Sequence, residues 1–225
     1  MEKTISMCWE IWKDRNTVRN EGVSRSGNTL ARSSVAIVEE FRGAKERVLL
    51  SGPERHVRWL PPEPPRYKMN VDAAIFKDLR AMGAGMVLRD SQGLVLAAMS
   101  KRVPANLEAL EAEAKAMEVA VQFAGEAGFR EVYFETDSST LKNILSGISE
   151  APASIETITD NILAHLDNFH FVSFCHVKRE GNRPAHILAQ HAKYVGDFVV
   201  WLEETPNLIE DACSQDIACN DSEVL

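Results

Sequence analysis

Three observations predict an α/β fold with a mixed five-stranded sheet and helices on both faces. Three strand-like segments, "YKMNVDAAIF", "GAGMVLRD" and "LVLAAMSKRV", follow one another, the last two joined by the turn "RDSQG". Two more, "EVYFETD" and "FHFVSFCHVKR", alternate with stretches of helical period. Hairpin-linked strands followed by crossover units imply a sheet that is antiparallel on one side and parallel on the other.

The elements read in order as follows. Residues 1–58 are helix-like and net basic, with Ile5, Cys8, Trp9 and Trp12 on one stripe and Val35, Val38 and Phe41 on another. Residues 59–66, "WLPPEPPR", are too Pro-rich to continue a helix and read as a linker or a strap along the next domain. That domain spans 67–198. After the three-strand meander comes a long helix from Leu107 to about Ala124, closed by Gly125 and Gly128. "EVYFETD" is a strand, and "SSTLKNILSG" a helix capped by Ser138 or Ser139. A helix from Ser154 to about Leu166, a last strand and the helix "NRPAHILAQHAKY" complete it. Residues 199–225 are acidic, show no clear periodicity and are expected to be disordered.

Composition narrows the function. Apolar residues at 45% and charged residues at 26% fit a soluble globular chain, and no apolar run approaches the roughly 20 residues that span a bilayer. The N-terminus lacks the apolar core and small-residue cleavage site of a signal peptide. The four cysteines show neither paired metal-ligand spacing nor a disulfide framework, so free thiols in a reducing compartment are expected. These features suit an intracellular protein, nuclear or cytoplasmic, without a membrane partner and expected to be a monomer. From Trp201 onward there are seven carboxylates and no Lys or Arg, which accounts for all but one of the net charge of −8. A strongly basic nucleic-acid binder is excluded. A site that meets phosphates through metal ions is not.

Three carboxylates stand where sequence patterns disfavour them. Glu113 lies three residues after Leu110 and four before Met117, inside the apolar stripe Leu110, Met117, Val121 and Ala124 of the long helix. The opposite face, Glu108, Glu111, Lys115, Glu118 and Gln122, reads as solvated. A carboxylate turned toward a sheet is costly unless a cation receives it; the alternative is a residue at the stripe's exposed edge. Asp72 interrupts the first strand, and Asp137 ends the fourth, where an exposed turn residue is equally in keeping. Strand ends are where open α/β sheets collect ligands. Converging carboxylates there would repel one another unless hard divalent cations bound them, an arrangement suited to metal-assisted displacement at a phosphodiester.

Taken together, "KMNVDAA", "AGMVLRDSQG", "EAEAKAM", "FETDSSTL" and "HVKREGNRPAHILA" resemble a type 1 ribonuclease H, and more narrowly the ribonuclease H-like domain of plant non-LTR retroelements. "CWEIWKDRN" is similar to the segment that precedes this domain in such elements. The resemblance covers roughly Trp59 to Tyr194. It implies a ribonuclease H-like fold, two Mg²⁺ ions and cleavage of the RNA strand of an RNA–DNA hybrid. It implies Asp72, Glu113 and Asp137 as catalytic metal ligands, with Asp72 shared by both ions. Lys178, Arg179 and Arg183 around the last loop, with Arg89 and Lys101 elsewhere on the sheet, are the basic candidates for nucleic-acid contacts and would otherwise be solvated surface charges; Asn182 is a further contact or the N-cap of the last helix. Gly83 and Gly85 would let the backbone approach 2′-hydroxyls, or serve conformation alone.

His186 occupies the position where the family usually has its fourth acid. As a ligand it would favour Mn²⁺ over Mg²⁺, since Mg²⁺ demands oxygen donors while Mn²⁺ accepts imidazole more readily. It would otherwise act as an acid or base, or lie solvated without a role. Two further departures are Ala109 or Leu110 and Ser139, where relatives often place Asn and Gln. The acidic "SGISEAPASIETITDN" replaces a basic, Trp-containing protrusion.

Overall fold

The computed structural model describes residues 59–218, together with 11, 14, 15, 26 and 27. The chain divides into two units, Met1–Arg55 and His56–Leu225; the fold below belongs to the second. The segment expected to be helical over 1–58 lies, apart from isolated positions, outside the described residues.

The meander forms as its alternation requires. β1 (Tyr67–Phe76), β2 (Ala81–Arg89) and β3 (Val95–Val103) pair antiparallel in sequence order. The β2–β3 turn is held by Asp90, whose Oδ1 accepts from the N–H groups of Gln92 at 2.8 Å and Leu94 at 2.9 Å. Gly93 supplies the left-handed φ of 82° that the turn needs. The chain then crosses through α1 (Ala109–Glu126) to β4 (Glu131–Thr136), and through α2 (Ser139–Leu145) and α3 (Glu156–His165) to β5 (Phe171–His176). Both crossovers deliver parallel strands, giving the order β5-β4-β1-β2-β3-β6. Ser138 caps α2, its hydroxyl accepting from the Leu141 N–H at 3.3 Å.

The two faces of the sheet have separate cores. β2 is buried at all nine positions, as a central strand covered on both sides must be. Its Met82, Ala84, Met86 and Leu88 join Met69, Val71, Met117, Val121 and Phe134 beneath α1, α2 and α3. On the other face α4 (Arg183–His191) lies across β2 so closely that a Cβ at Gly83 would collide with the Ala189 carbonyl oxygen, and one at Gly85 with the backbone of Ala185 and Ala189. These glycines therefore admit a helix, not a substrate backbone.

Two expectations are corrected. The sheet has six strands, not five, and the tail is not disordered through residue 218. β6 (Phe198–Leu202) pairs antiparallel with β3, and α5 (Asn207–Ala218) follows it. Ile209 and Cys213 of α5 are buried with Val87, Val95, Ala98 and Leu188, on the α4 face of the sheet. Burial of this apolar set outweighs the acidic composition that suggested disorder.

Residues 59–66 act as the strap. Trp59 is 1% exposed, and the fully buried Arg89 guanidinium stacks on its ring with Cζ 3.6 Å from the centroid. Arg89, expected at the surface, instead pairs with Asp216 of α5 at 2.7 Å. Burial raises the Asp216 carboxyl above its usual range, while Arg89 pulls it back. Glu118, expected on the solvated face of α1, is also buried; it accepts from Asn161 of α3 at 2.9 Å and pairs with Lys115.

Gly85→Ala tests the α4 contact. We expect a loss of about 1–3 kcal/mol or more, as for other overpacked sites, read as a lower urea midpoint with unchanged slope.

Candidate active site

The parallel pairing of β1 and β4 aligns Asn70 with Glu135, so that two residues farther on Asp72 is level with Asp137, just past the end of β4. α1 crosses the same end of the sheet and brings Glu113 down onto it. Each of Asp72, Glu113 and Asp137 offers a carboxylate oxygen, and the three oxygens lie within 4.8 Å of one another. All three acids singled out in the sequence therefore meet.

The electrostatics are those of a site awaiting positive charge. Asp72 is 3% exposed. Burial pushes Glu113 up to about 9, with the charges of Asp72 and Asp137 adding to the rise and the Ala73 backbone N–H and Arg179 opposing it. Asp72 is raised to about 6, first by burial, against the opposing hydrogen bond from His186. Glu113 Oε2 is buried and has no hydrogen-bond partner. An orphaned, desolvated oxygen beside two other carboxylates fits a hard divalent cation, which would satisfy it and displace the Glu113 proton.

His186, in the first turn of α4, is not one of the three converging groups. Its Nδ1 donates to Asp72 Oδ2 at 2.7 Å, which fixes one Asp72 oxygen and leaves Nε2 as the free ring nitrogen. The close seating of α4 on Gly83 and Gly85 makes this contact possible.

The four expected nucleic-acid contacts around the last loop separate. Lys178 and Arg179 are exposed on the loop before α4, and Arg179 is near enough for its charge to act on both Asp72 and Glu113. Arg183 is exposed and donates to Gln215 of α5 at 3.1 Å. Asn182 is 1% exposed and donates to the Val71 carbonyl at 2.9 Å. Its side chain neither caps α4 nor faces solvent, so it ties the loop to β1. His176, which sequence reasoning gave no role, donates from Nε2 to the Asp137 carbonyl at 3.2 Å and steadies the end of β4.

The fold is that of ribonuclease H. RNase H1 from the halophilic archaeon Halobacterium salinarum NRC-1 matches with a TM-score of 0.54 at 23% identity, over 57% of this chain and 98% of that one. The N-terminal RNase H domain of a Mycobacterium tuberculosis protein, solved as a fusion, gives 0.52 at 20% identity, over 56% of this chain and 92% of that one. LC11-RNase H1, solved in complex with an RNA/DNA hybrid, gives 0.51 at 20% identity, over 56% and 95%. No curated protein matches the chain in sequence. Residues 70–192, more than half of the chain, match the family described as reverse transcriptase-like. The chain belongs to that family.

A pH prediction follows from the raised carboxyls. An acid whose folded pKa exceeds its unfolded value stabilises the fold below the unfolded value, and that contribution is lost as pH rises through the folded one. In chelator, the melting temperature should therefore fall between about 4.5 and about 9 on account of Glu113. Glu113→Gln should flatten this decline; an unchanged slope would contradict the assignment.

Proposed function

We propose that the protein is a metal-dependent ribonuclease that hydrolyses the RNA strand of RNA–DNA hybrids. The observation that carries this reading is the convergence of Asp72, Glu113 and Asp137 at the strand ends of a ribonuclease H fold. The hybrid bound to LC11-RNase H1, a protein of the same fold, supports the choice of substrate. Two Mg²⁺ or Mn²⁺ ions held there would orient an attacking water and stabilise the leaving oxygen.

The chain's own residues divide the remaining work. Asp72 would hold the ions together with Glu113 and Asp137, its carboxylate oriented by His186 Nδ1 as a metal-bound group is oriented by its outer partners. Glu113 and Asp137 would supply the other carboxylate oxygens, and the ions held there would supply charge for the leaving oxygen. His186 Nε2 would offer an ion one nitrogen where a carboxylate would offer oxygen, which would favour Mn²⁺ over Mg²⁺. Lys178 and Arg179 receive the phosphate backbone. Selectivity for the hybrid rests on its shape and on the RNA 2′-hydroxyls. The five quoted motifs and their order further support derivation from a plant non-LTR retroelement. A survey placing the nearest sequence relatives outside reverse transcriptase-bearing elements would remove that origin.

A second reading, a binding module that has lost catalysis, is favoured by the Asp72 oxygen already engaged by His186. It is also favoured by Glu150, Glu156 and Asp160 lining the α2–α3 groove, an acidic lining where the resemblance leads one to expect a basic protrusion.

Cleavage of an end-labelled hybrid decides between them. Wild type should cut in Mn²⁺ and little in Mg²⁺, Asp72→Asn should lose about 100-fold or more, and His186→Asp should raise the Mg²⁺ rate by about 10-fold or more. Silence of both wild type and His186→Asp in either metal, with hybrid still bound, would establish the binding module instead. For the backbone contact, Arg179→Ala should lower the slope of log affinity against log salt by about one. An unchanged slope would remove Arg179 from the interface.

A further inference from the structure

α5 lies beyond the residues that the family shares, yet its polar contacts lead toward the candidate site. Asp216 stands in the apolar stripe of α5, seven residues after Ile209, and accepts from Arg89 Nη1 at 2.7 Å. Arg89 Nη2 donates to Asn70 Oδ1 at 2.8 Å. The Asn70 amide nitrogen donates in turn to Glu135 Oε2 at 2.9 Å and to the Gly181 carbonyl at 3.4 Å. Gly181 belongs to the 3-10 turn Arg179–Asn182, which precedes α4 and thus His186. A separate contact joins Gln215 of α5 to Arg183, the first residue of α4.

Each link is specific. Arg89 is completely buried, and Trp59 covers one face of its guanidinium. A cation so enclosed holds its geometry only while an acid balances it. Asn70 and Asp72 are two residues apart on β1 and so face the same side of the sheet. Glu135 likewise stands two residues before Asp137 and is held from its other oxygen by Lys68 at 2.9 Å. The bond from Asn70 to Gly181 and the bond from Asn182 to Val71 fasten the turn to the strand that carries Asp72.

We infer that α5 is a positioning element of the candidate active site: through Asp216, Arg89 and Asn70, with a second tie from Gln215 to Arg183, it fixes the 178–183 loop and the start of α4, and so sets Arg179 and His186 against Asp72. Asp216 touches no reacting atom and is a positioning residue. The inference rests on the site assignment of the proposed function but concerns a segment that assignment does not use. A helix that merely covered the sheet would need its apolar residues and not this relay.

The test compares full-length Asp216→Asn with Ile209→Val, which loosens the apolar face of α5 without touching the relay, and with Asp211→Asn, an exposed control. The readouts are hydrogen exchange of the 178–183 amides, calorimetric Mn²⁺ affinity and steady-state cleavage. Asp216→Asn should speed exchange in the loop, weaken Mn²⁺ by about tenfold, as loss of an outer-shell partner does, and lower kcat more than it raises KM. Asp216→Glu should recover part of each. Ile209→Val should lower the melting temperature alone, and Asp211→Asn should change nothing. The inference is overturned if Asp216→Asn leaves loop exchange unaltered, or if Ile209→Val reproduces all of its effects at equal loss of melting temperature. Should Asp216→Asn fail to fold, Gln215→Ala takes its place with the same expected direction, and unaltered loop exchange there is equally contrary. If the wild type neither binds Mn²⁺ nor cleaves hybrid, the catalytic reading fails while loop exchange still decides the relay.

Discussion

Three carboxylate oxygens within 4.8 Å of one another, on side chains largely withdrawn from water, impose the condition that shapes this molecule. Like charges so placed cannot all persist, because desolvation and mutual repulsion act in the same direction. The chain's responses are a Glu113 carboxyl raised to about 9 and a His186 ring that donates to Asp72. Both responses leave a group that a divalent ion would satisfy better: the unpartnered Oε2 of Glu113 and the free Nε2 of His186. Such arrangements oppose stability and cluster at functional sites.

The rest of the fold serves to hold that geometry. Parallel pairing brings the end of β4 level with the middle of β1, and α1 supplies the third acid. On the opposite face, removal of two side chains from β2 allows α4 to sit against the backbone and His186 to reach Asp72. Asn182 and Asn70 are drawn into the interior for the same purpose, each tying the loop before α4 to β1. Arg89, between Trp59 and Asp216, extends this buried polar system to the last helix.

Much of this was legible from the residues. Alternation and turn chemistry marked every element from β1 to α4, and an acid inside an apolar stripe marked Glu113. The same signal was present in α5, where Ile209, Ala212, Cys213 and Asp216 recur at helical spacing. There the surrounding acids, and the absence of any Lys or Arg, hid a stripe whose burial depends on a distant sheet face. β6 was lost for a related reason: five residues at an edge carry little pattern of their own, and their pairing with β3 is wholly non-local. Arg89 beside a turn reads as a surface cation because nothing local announces Trp59, thirty residues earlier, or Asp216, far later. Glu118 was misread because its partner Asn161 comes from another helix. The partnership of His186 with Asp72 was also beyond sequence, which located the residue but not the direction of its ring.

The most direct test of the central claim, that Asp72, Glu113 and Asp137 are one cation site, is a calorimetric titration of Mn²⁺ near neutral pH in two buffers of different ionisation enthalpy. The account predicts binding accompanied by release of about one proton, as expected when a ligand must deprotonate, with both the proton release and most of the affinity lost in Glu113→Gln. Absence of binding, or binding that Glu113→Gln leaves intact, would contradict it.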